Sequence, residues 1–477
     1  MKDDKGKKVI VLGGGPAGLS AAWKLSRSGI DVELIELDFQ VGGLCQTVKH
    51  GDFYFDLGGH RFLTQDKEVF KEIKDLMQDD IVVRPRKSVI RLKGKYFGYP
   101  LNAKDLLKKL NPFLTTKCLL DYLLTITINK LNPKEDISLQ DWISHRFGKS
   151  LYNIYFGPYS EKLWGISPTQ ISADWAAQRI SLLNLWDVLL RLLGKKDDTP
   201  KTYAEEYLYP IRGIGMIADR QAEDILKNKG VIHTDSRVSQ IKIEDNKISE
   251  ITFEKNGSLK SVKGDIIINT IPLPEFVRMI TPAADDHVIE TSKRMRFRGL
   301  RFLNIEIDKQ QVSENNWIYI PEHQYLFFRI QEPKNWSPHN VPEGKTSLIL
   351  EIASDKGDDI WDKPDDVILK RGVKDLKALG FDIENKVIGC FSTYASHAYP
   401  IYDLDYKEKI KTLIDYLDKF ENLVSCGRQG LYRYNNMDHS IKMGFKAAEH
   451  VLSGVSKQEI LDIANEKEGF ESKVKLK

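Results

Sequence analysis

The chain has 477 residues, 41% of them hydrophobic and 29% charged, enough to bury a large core in two or three interlocked domains and too apolar for global disorder. Its 71 basic and 68 acidic residues leave a formal charge of +3, a balance that argues against nucleic acid as a partner and leaves any anionic ligand to local clusters. Four cysteines, Cys45, Cys118, Cys390 and Cys426, lie far apart with no CxxC pair. With no signal peptide in view, they are expected to be free thiols in a reducing, cytoplasmic setting.

In chain order, KVIVLG reads as a strand, PAGLSAAWKLSRSG as a helix and DVELIE as a second strand, the β-α-β order of a dinucleotide-binding unit. From Asn102 to about Leu193 the pattern is mainly helical. The most apolar stretches, Cys118 to Ile128 and Ile180 to Leu193, both fall short of the ~20 residues that span a bilayer. Leu182, Leu185, Trp186, Leu189 and Leu193 recur at helical spacing, which is read as core packing in preference to peripheral membrane contact. Strands rich in β-branched residues follow at VIHTDSRVSQIKIE, KISEITFE and GDIIINTIP, then at LRFLNIEI, NNWIYIP and TSLILEIA. A last helix is expected from Asp438, and the mixed-charge tail beyond Gly454 is expected to be a solvated extension.

Gly13-Gly14-Gly15-Pro16-Ala17-Gly18 satisfies GxGxxG between strand and helix, so its backbone amides can approach a diphosphate at the helix N-terminus. Glu36, ending the second strand, is positioned to accept from a ribose diol. Farther on come Val41-Gly42-Gly43-Leu44 and Phe55-Asp56-Leu57-Gly58-Gly59-His60. Together these segments resemble the FAD-binding half of the amine oxidase, protoporphyrinogen oxidase and UDP-galactopyranose mutase superfamily. The resemblance implies an α/β fold: a Rossmann-like FAD-binding domain with a helical insertion and a mixed β-sheet substrate domain. The expected boundaries are 1–85 with 205–270 and 420–455 for the FAD domain, 100–204 for the helical part, 86–99 with 271–419 for the β-sheet part, and 456–477 for the tail. It further implies that Gly42, Gly43 and Leu44 follow the FAD diphosphate and ribityl chain, that Val238 meets adenine through its backbone, and that Gly58, Gly59 and His60 approach the flavin. Gly427, Arg428, Asp438, His439 and Ser440 would close the cofactor site from the C-terminal side. No second GxGxxG module is present, so a reducing NADPH or NADH would visit the substrate cleft.

The substrate side resembles the eukaryotic-type UDP-galactopyranose mutases. The carrying segments are Lys95 to Asn102, Pro158 to Trp164, Trp175 to Arg179, Trp317 to Glu322, Phe327 to Arg329, His397 to Pro400 and the stretch GRQGLYRYNNMDHSIKMG. By that resemblance Tyr99 and Asn102 lie near a uracil, Tyr155 and Trp164 flank the nucleotide, and Arg179 and Arg329 hold its diphosphate with Tyr399 and Tyr434. Arg428, Asn436 and His60 sit between flavin and sugar, so the candidate catalytic set is His60, Arg329, Arg428 and Asn436. Paired guanidiniums and phenols suit a diphosphate. Tyr155, Trp164 and Tyr399 could equally be core aromatics. Trp336 stands where the mutases place a diphosphate-binding tyrosine, and the loop from Tyr434 to Asn436 is short for such an enzyme. The implied activity is pyranose–furanose interconversion of a UDP-sugar through an adduct on N5 of reduced FAD, in polysaccharide biosynthesis, with no metal. Alternatives are an oxidase or desaturase with an apolar channel, and a non-catalytic flavoprotein.

Overall fold

The computed structural model describes residues 6–99, 105, 108–179 and 206–465. Its centre is a parallel sheet ordered Leu423–Ser425, Ile266–Asn269, Lys8–Leu12, Asp31–Ile35, Val231–His233. The first strand is the middle one, and Val9 to Leu12 are fully buried, as an apolar run covered on both faces should be. Helix Pro16–Arg27 packs against the long helix Met437–Ser453 at glycine contacts. A Cβ on Gly444 would lie 2.3 Å from the Ala17 carbonyl oxygen, so the two helices touch backbone to backbone there.

A second, mixed sheet of seven strands runs Val387–Pro400, Phe297–Ile307, Thr346–Ala353, Arg329–Gln331, Trp317–Tyr319, Ser88–Leu92, Lys95–Gly98. The last two strands come from early in the chain and join in parallel, Trp317 opposite Ser88. A smaller sheet of four strands, Ser258–Val262, Lys247–Lys255, Ser236–Glu244 and Ile280–Thr281, lies beside the first. The helical segment comprises Pro112–Leu131, Leu139–Phe147, Lys149–Leu151, a π-helical turn over Tyr152–Phe156, Gly157–Trp164 and Ala173–Arg179. A capping box between Ser138 and Asp141 starts the second of these.

Several expectations change. The tail is not wholly solvated: Lys457–Asn465 is a helix that buries Ile460 and Ile463 in the core beneath Met437–Ser453. That longer helix begins at Met437, with Asn436 as its N-cap residue, one position before the expected start. The leucine stripe of 182–193 lies outside the described residues. All four cysteines are free.

Candidate active site

Where the first strand ends, Gly13 takes a φ of +98°, and a side chain there would sit 2.5 Å from the Thr270 hydroxyl. A Cβ on Gly18 would approach the Gly13 carbonyl oxygen to 2.0 Å, which keeps the helix tight against the strand. Gly15 has nothing within 4 Å of its would-be Cβ, and no side chain caps the helix it precedes. The first-turn amides of Pro16–Arg27 are therefore available to an anion. Gly43, at φ +52°, faces Gly15 across this space, and Gly42 donates to the Gly14 carbonyl at 2.8 Å. Leu44 is half-buried against the core beside it.

Glu36 is buried at the end of the second strand, where the amides of Gly14 and Asp38 donate to its carboxylate. Burial pushes its pKa up to about 6 against the pull of those amides. Ser236 donates to the Glu36 carbonyl at 2.9 Å and Asp235 to that of Asp38 at 2.8 Å, so the strand carrying Val238 begins alongside this acid. A diphosphate at the open glycines and a ribose at Glu36 match the donors and acceptors that these residues present.

Beyond the cradle, Gly58 and Gly59 fold tightly over Phe302 and Trp317, a Cβ on Gly59 falling 2.0 Å from the Trp317 indole nitrogen. His60 follows with its Nδ1 buried and unpartnered. Burial, then the nearby Arg428, Arg329 and Arg61 guanidiniums, hold its pKa down to about 3, so it is neutral. Arg428 donates to the carbonyls of Asn435 at 2.9 Å and Ala398 at 2.6 Å, and its guanidinium lies 4.4 Å from the Tyr434 ring centre and 5.3 Å from that of Tyr399. Its Nε and the side-chain amide nitrogen of Asn435 are buried without partners. Gly427, at φ +80°, brings this turn onto Ala17, and in the following helix His439 Nδ1 lies 2.9 Å from Asp438 while Ser440 donates to Asn435.

Next to this end of the cradle, Arg329 donates from Nε and Nη2 to Glu351, both at 2.6 Å, and the Gln331 amide also donates to that carboxylate. Arg329 and Glu351 are paired in register on adjacent strands. Around the pair stand Tyr319, 5.9 Å from the guanidinium, and Tyr159, which packs 6.0 Å from Tyr319 and 5.9 Å from Tyr155. Tyr99 lies 5.1 Å from Tyr319. Opposite, Trp164 packs against Trp175, Tyr399 and Tyr434, and both indole nitrogens are buried without partners. Burial raises the phenols of Tyr155, Tyr159 and Tyr399, so they are neutral donors. Lys162 ties the wall together: its Nζ donates to the carbonyls of Ile320, Glu322 and Phe327 at 3.1, 2.8 and 2.6 Å, and burial lowers its pKa to about 7.

A family model described as flavin containing amine oxidoreductase matches residues 16–452. The chain belongs to that family. Among curated amine oxidoreductase relatives, protoporphyrinogen oxidase 2 of Arabidopsis thaliana is 22% identical over 94% of each chain. The coproporphyrinogen III oxidase of Bacillus subtilis is 22% identical over 87% of this chain and 91% of its own, whereas that of Propionibacterium freudenreichii, 26% identical, is matched over only 33% of its length. The solved structure of a reduced UDP-galactopyranose mutase superposes with a TM-score of 0.83, at 22% identity, over 97% of this chain and 99% of that one. A protoporphyrinogen oxidase-like structure from Exiguobacterium follows at 0.70 and 16% identity, covering 95% and 99%. At such identities these likenesses establish the fold, and the family makes this protein a flavoenzyme.

The fold therefore gathers Tyr99, Tyr155, Arg329, Tyr399 and Tyr434 into one cluster, with Trp164, His60 and Arg428 at its edge. Trp336 does not join it: it is buried among Trp317, Tyr207 and Tyr209 at ring separations of 4.2, 5.2 and 5.3 Å, one layer behind Gly59. Asn102 and the Arg179 side chain lie outside the described residues. Three residues of the cluster are not among those that the sequence marks as site residues. Tyr159 follows Tyr155 by four positions and shares its helix face. Tyr319 stands inside the WIY strand. Glu351 is a lone carboxylate in an otherwise apolar strand, itself a signal, because an acid is rarely buried unpaired.

Proposed function

We propose that this flavoenzyme is a mutase-like enzyme that interconverts the pyranose and furanose forms of a UDP-sugar, with FAD as cofactor. The observation that carries the reading is the Arg329–Glu351 pair set among Tyr99, Tyr155, Tyr159, Tyr319, Tyr399 and Tyr434. A largely buried guanidinium ringed by phenols offers charge-assisted and hydroxyl donors to a diphosphate, together with faces on which a pyrimidine can stack. The UDP-galactopyranose mutase superposition supports the same reading.

In this proposal the glycine cradle, the uncapped helix N-terminus and Glu36 hold FAD. Held there and reduced, FAD would provide nucleophilic chemistry toward the anomeric carbon of the sugar. Arg329 and the phenols hold UDP while it is detached, which keeps it in place for return. Neutral His60 offers a hydrogen bond from an uncharged ring, so no further cation competes for the diphosphate. Trp164, Trp175 and Tyr434 wall off water, which protects the activated sugar from hydrolysis. The chain supplies no thiol nucleophile here, since burial pushes Cys45 up to about 12.

Purified protein reduced with dithionite should interconvert UDP-galactopyranose and UDP-galactofuranose, or another UDP-sugar pair, and UDP should raise its melting temperature in proportion to the logarithm of ligand concentration. Neither effect with any UDP-sugar would sink the proposal. NADPH or NADH bleaching the flavin band would identify the reductant, for which we propose entry through the same cleft. The full-length match to protoporphyrinogen oxidase favours a second reading, an oxidase or desaturase. Oxygen consumption with a porphyrinogen or polyene, in protein indifferent to UDP, would establish it.

A further inference from the structure

Helix Pro112–Leu131 is turned the wrong way round for a core helix. Its inward stripe is anchored by polar groups: Asp121 accepts from the Ser150 amide at 2.6 Å and the Asn129 side chain donates to the His145 carbonyl, while Tyr122 is its one buried residue and Leu114 packs on a core cluster. Its outward face is apolar, with Phe113 exposed to 90%, Leu124 to 62% and Leu131 to 81%, joined by Leu120, Leu123 and Ile128. The polar anchors fix this rotation, because turning the leucines inward would strand Asp121 and Asn129.

An anionic bilayer and a second copy of the chain are the two covers that such a face invites, and charge and area separate them. On this helix the ionisable groups facing out are Lys117 and Lys130, while its single carboxylate, Asp121, faces in. Lys108, Lys134 and Lys149 flank it, all exposed, with Glu135 as the exposed acid nearby. An apolar face edged by lysines matches an anionic bilayer, where leucines enter the acyl boundary and ammonium groups meet lipid phosphates. A helix of 20 residues is about 30 Å long and about 10 Å wide, so it offers a second copy roughly 300 Å², well under the ~800 Å² per partner of a stable interface. An open groove of about 700 Å³ runs beside its N-terminal half, lined by Phe113, Lys117, Leu120 and Leu124, with the hydrogen-bonded Asp121 and Ser150 also in its lining. Among the described residues no helix is long and apolar enough to cross a membrane, so the contact lies in the plane of the surface.

We propose that helix Pro112–Leu131 seats this flavoenzyme on an anionic lipid bilayer, its leucines in the interface and Lys117 and Lys130 on phosphate headgroups. The inference is independent of the substrate, since the helix holds none of the cofactor or chamber residues.

The test is co-sedimentation of the FAD-loaded protein with vesicles of phosphatidylglycerol and phosphatidylcholine, alongside Leu120→Glu/Leu124→Glu and Lys117→Glu/Lys130→Glu variants. All four sites are exposed, so the variants should keep their flavin spectrum and melting temperature. The wild type should bind the anionic vesicles at least tenfold more tightly than neutral ones and lose that binding as salt rises. Each double variant should lose tenfold or more. A bimane label on Leu124→Cys in a Cys118→Ser/Cys390→Ser background, which leaves only the buried Cys45 and Cys426, should shift to the blue only with anionic vesicles. The proposal is overturned if the wild type ignores both vesicle types. It is equally overturned if sedimentation velocity shows a dimer that the leucine variants dissociate, which would assign the face to a second copy.

Discussion

Changing Glu351 to Gln keeps the side-chain shape and removes its charge, leaving the Arg329 guanidinium with a neutral neighbour in place of a bidentate carboxylate. Glu351 is 0% exposed and the Arg329 side chain 16%, so water can relieve only the cation, and only in part. Stranding one partner of a buried pair costs about 3–5 kcal/mol, and the partial access of Arg329 puts the expected loss near the lower end, about 3 kcal/mol. Adding Arg329→Met removes the stranded cation, while the amide oxygen introduced by Glu351→Gln still accepts from Gln331. The double variant should recover at least half of the loss, about 1.5 kcal/mol, and because Arg329→Met alone strands the fully buried Glu351, the coupling between the two sites should exceed that recovery by the loss of this second single variant. Urea unfolding of the FAD-loaded proteins, followed by far-ultraviolet circular dichroism, supplies all four corners of the cycle. A single-variant loss under about 1 kcal/mol, or strictly additive effects, would place the pair with exposed ion pairs and refute its role as the rigid base of the chamber.

Gly15→Ala should fold and melt like the wild-type apoprotein, since nothing lies within 4 Å of the new methyl, yet bind FAD at least ~10-fold more weakly by filling ligand space. Gly18→Ala, 2.0 Å from a backbone oxygen, should instead yield little flavin-loaded protein, as read from the yellow fraction after gel filtration. Glu36 carries a folded pKa raised to about 6, so its ionised form costs the apoprotein stability that is regained as pH falls through 6 toward the unfolded value. Because the ribose bonds need the ionised form, FAD affinity measured by flavin fluorescence quenching should drop between pH 7 and 5, and Glu36→Gln should flatten that dependence. Ile460→Ala should cost about 2–5 kcal/mol, seen in chemical denaturation, and truncation after Gly454 should expose the same apolar surface.

The cofactor cradle is legible in the sequence because its parts are close together: strand, glycines, helix and Glu36 fall within thirty residues, and each has a local conformational requirement. The chamber is legible only as motifs. Nothing local tells that residues 88–98 complete a sheet begun two hundred residues later, or that this sheet sets Arg329 opposite Glu351. Trp336 leaves the role its motif position suggests because its indole is packed edge-on against Trp317 and beside Tyr207 and Tyr209 in the core, neighbours that are distant in sequence. The tail helix escapes a sequence reading for a related reason: two isoleucines among charges look like a solvated face until a groove beneath another helix receives them. Helix Pro112–Leu131 runs against the pattern rule itself, since its apolar stripe and its buried stripe are opposite faces.

Lys162 carries a consequence for evolution and for engineering. Its ammonium, sitting on the helix that bears Tyr159 and Trp164, donates to main-chain oxygens of the 320–327 loop, with the Glu322 carboxylate adding charge, so the hydrogen-bonded match depends on that loop's path. The loop's exposed positions, His323 and Gln324, can thus vary while the graft between helical insertion and sheet stays sound, whereas Ile320, Tyr325 and Phe327 are held by the core. A chimera that imports the insertion from a relative should keep activity when it brings this lysine with it and when the recipient loop has the same length.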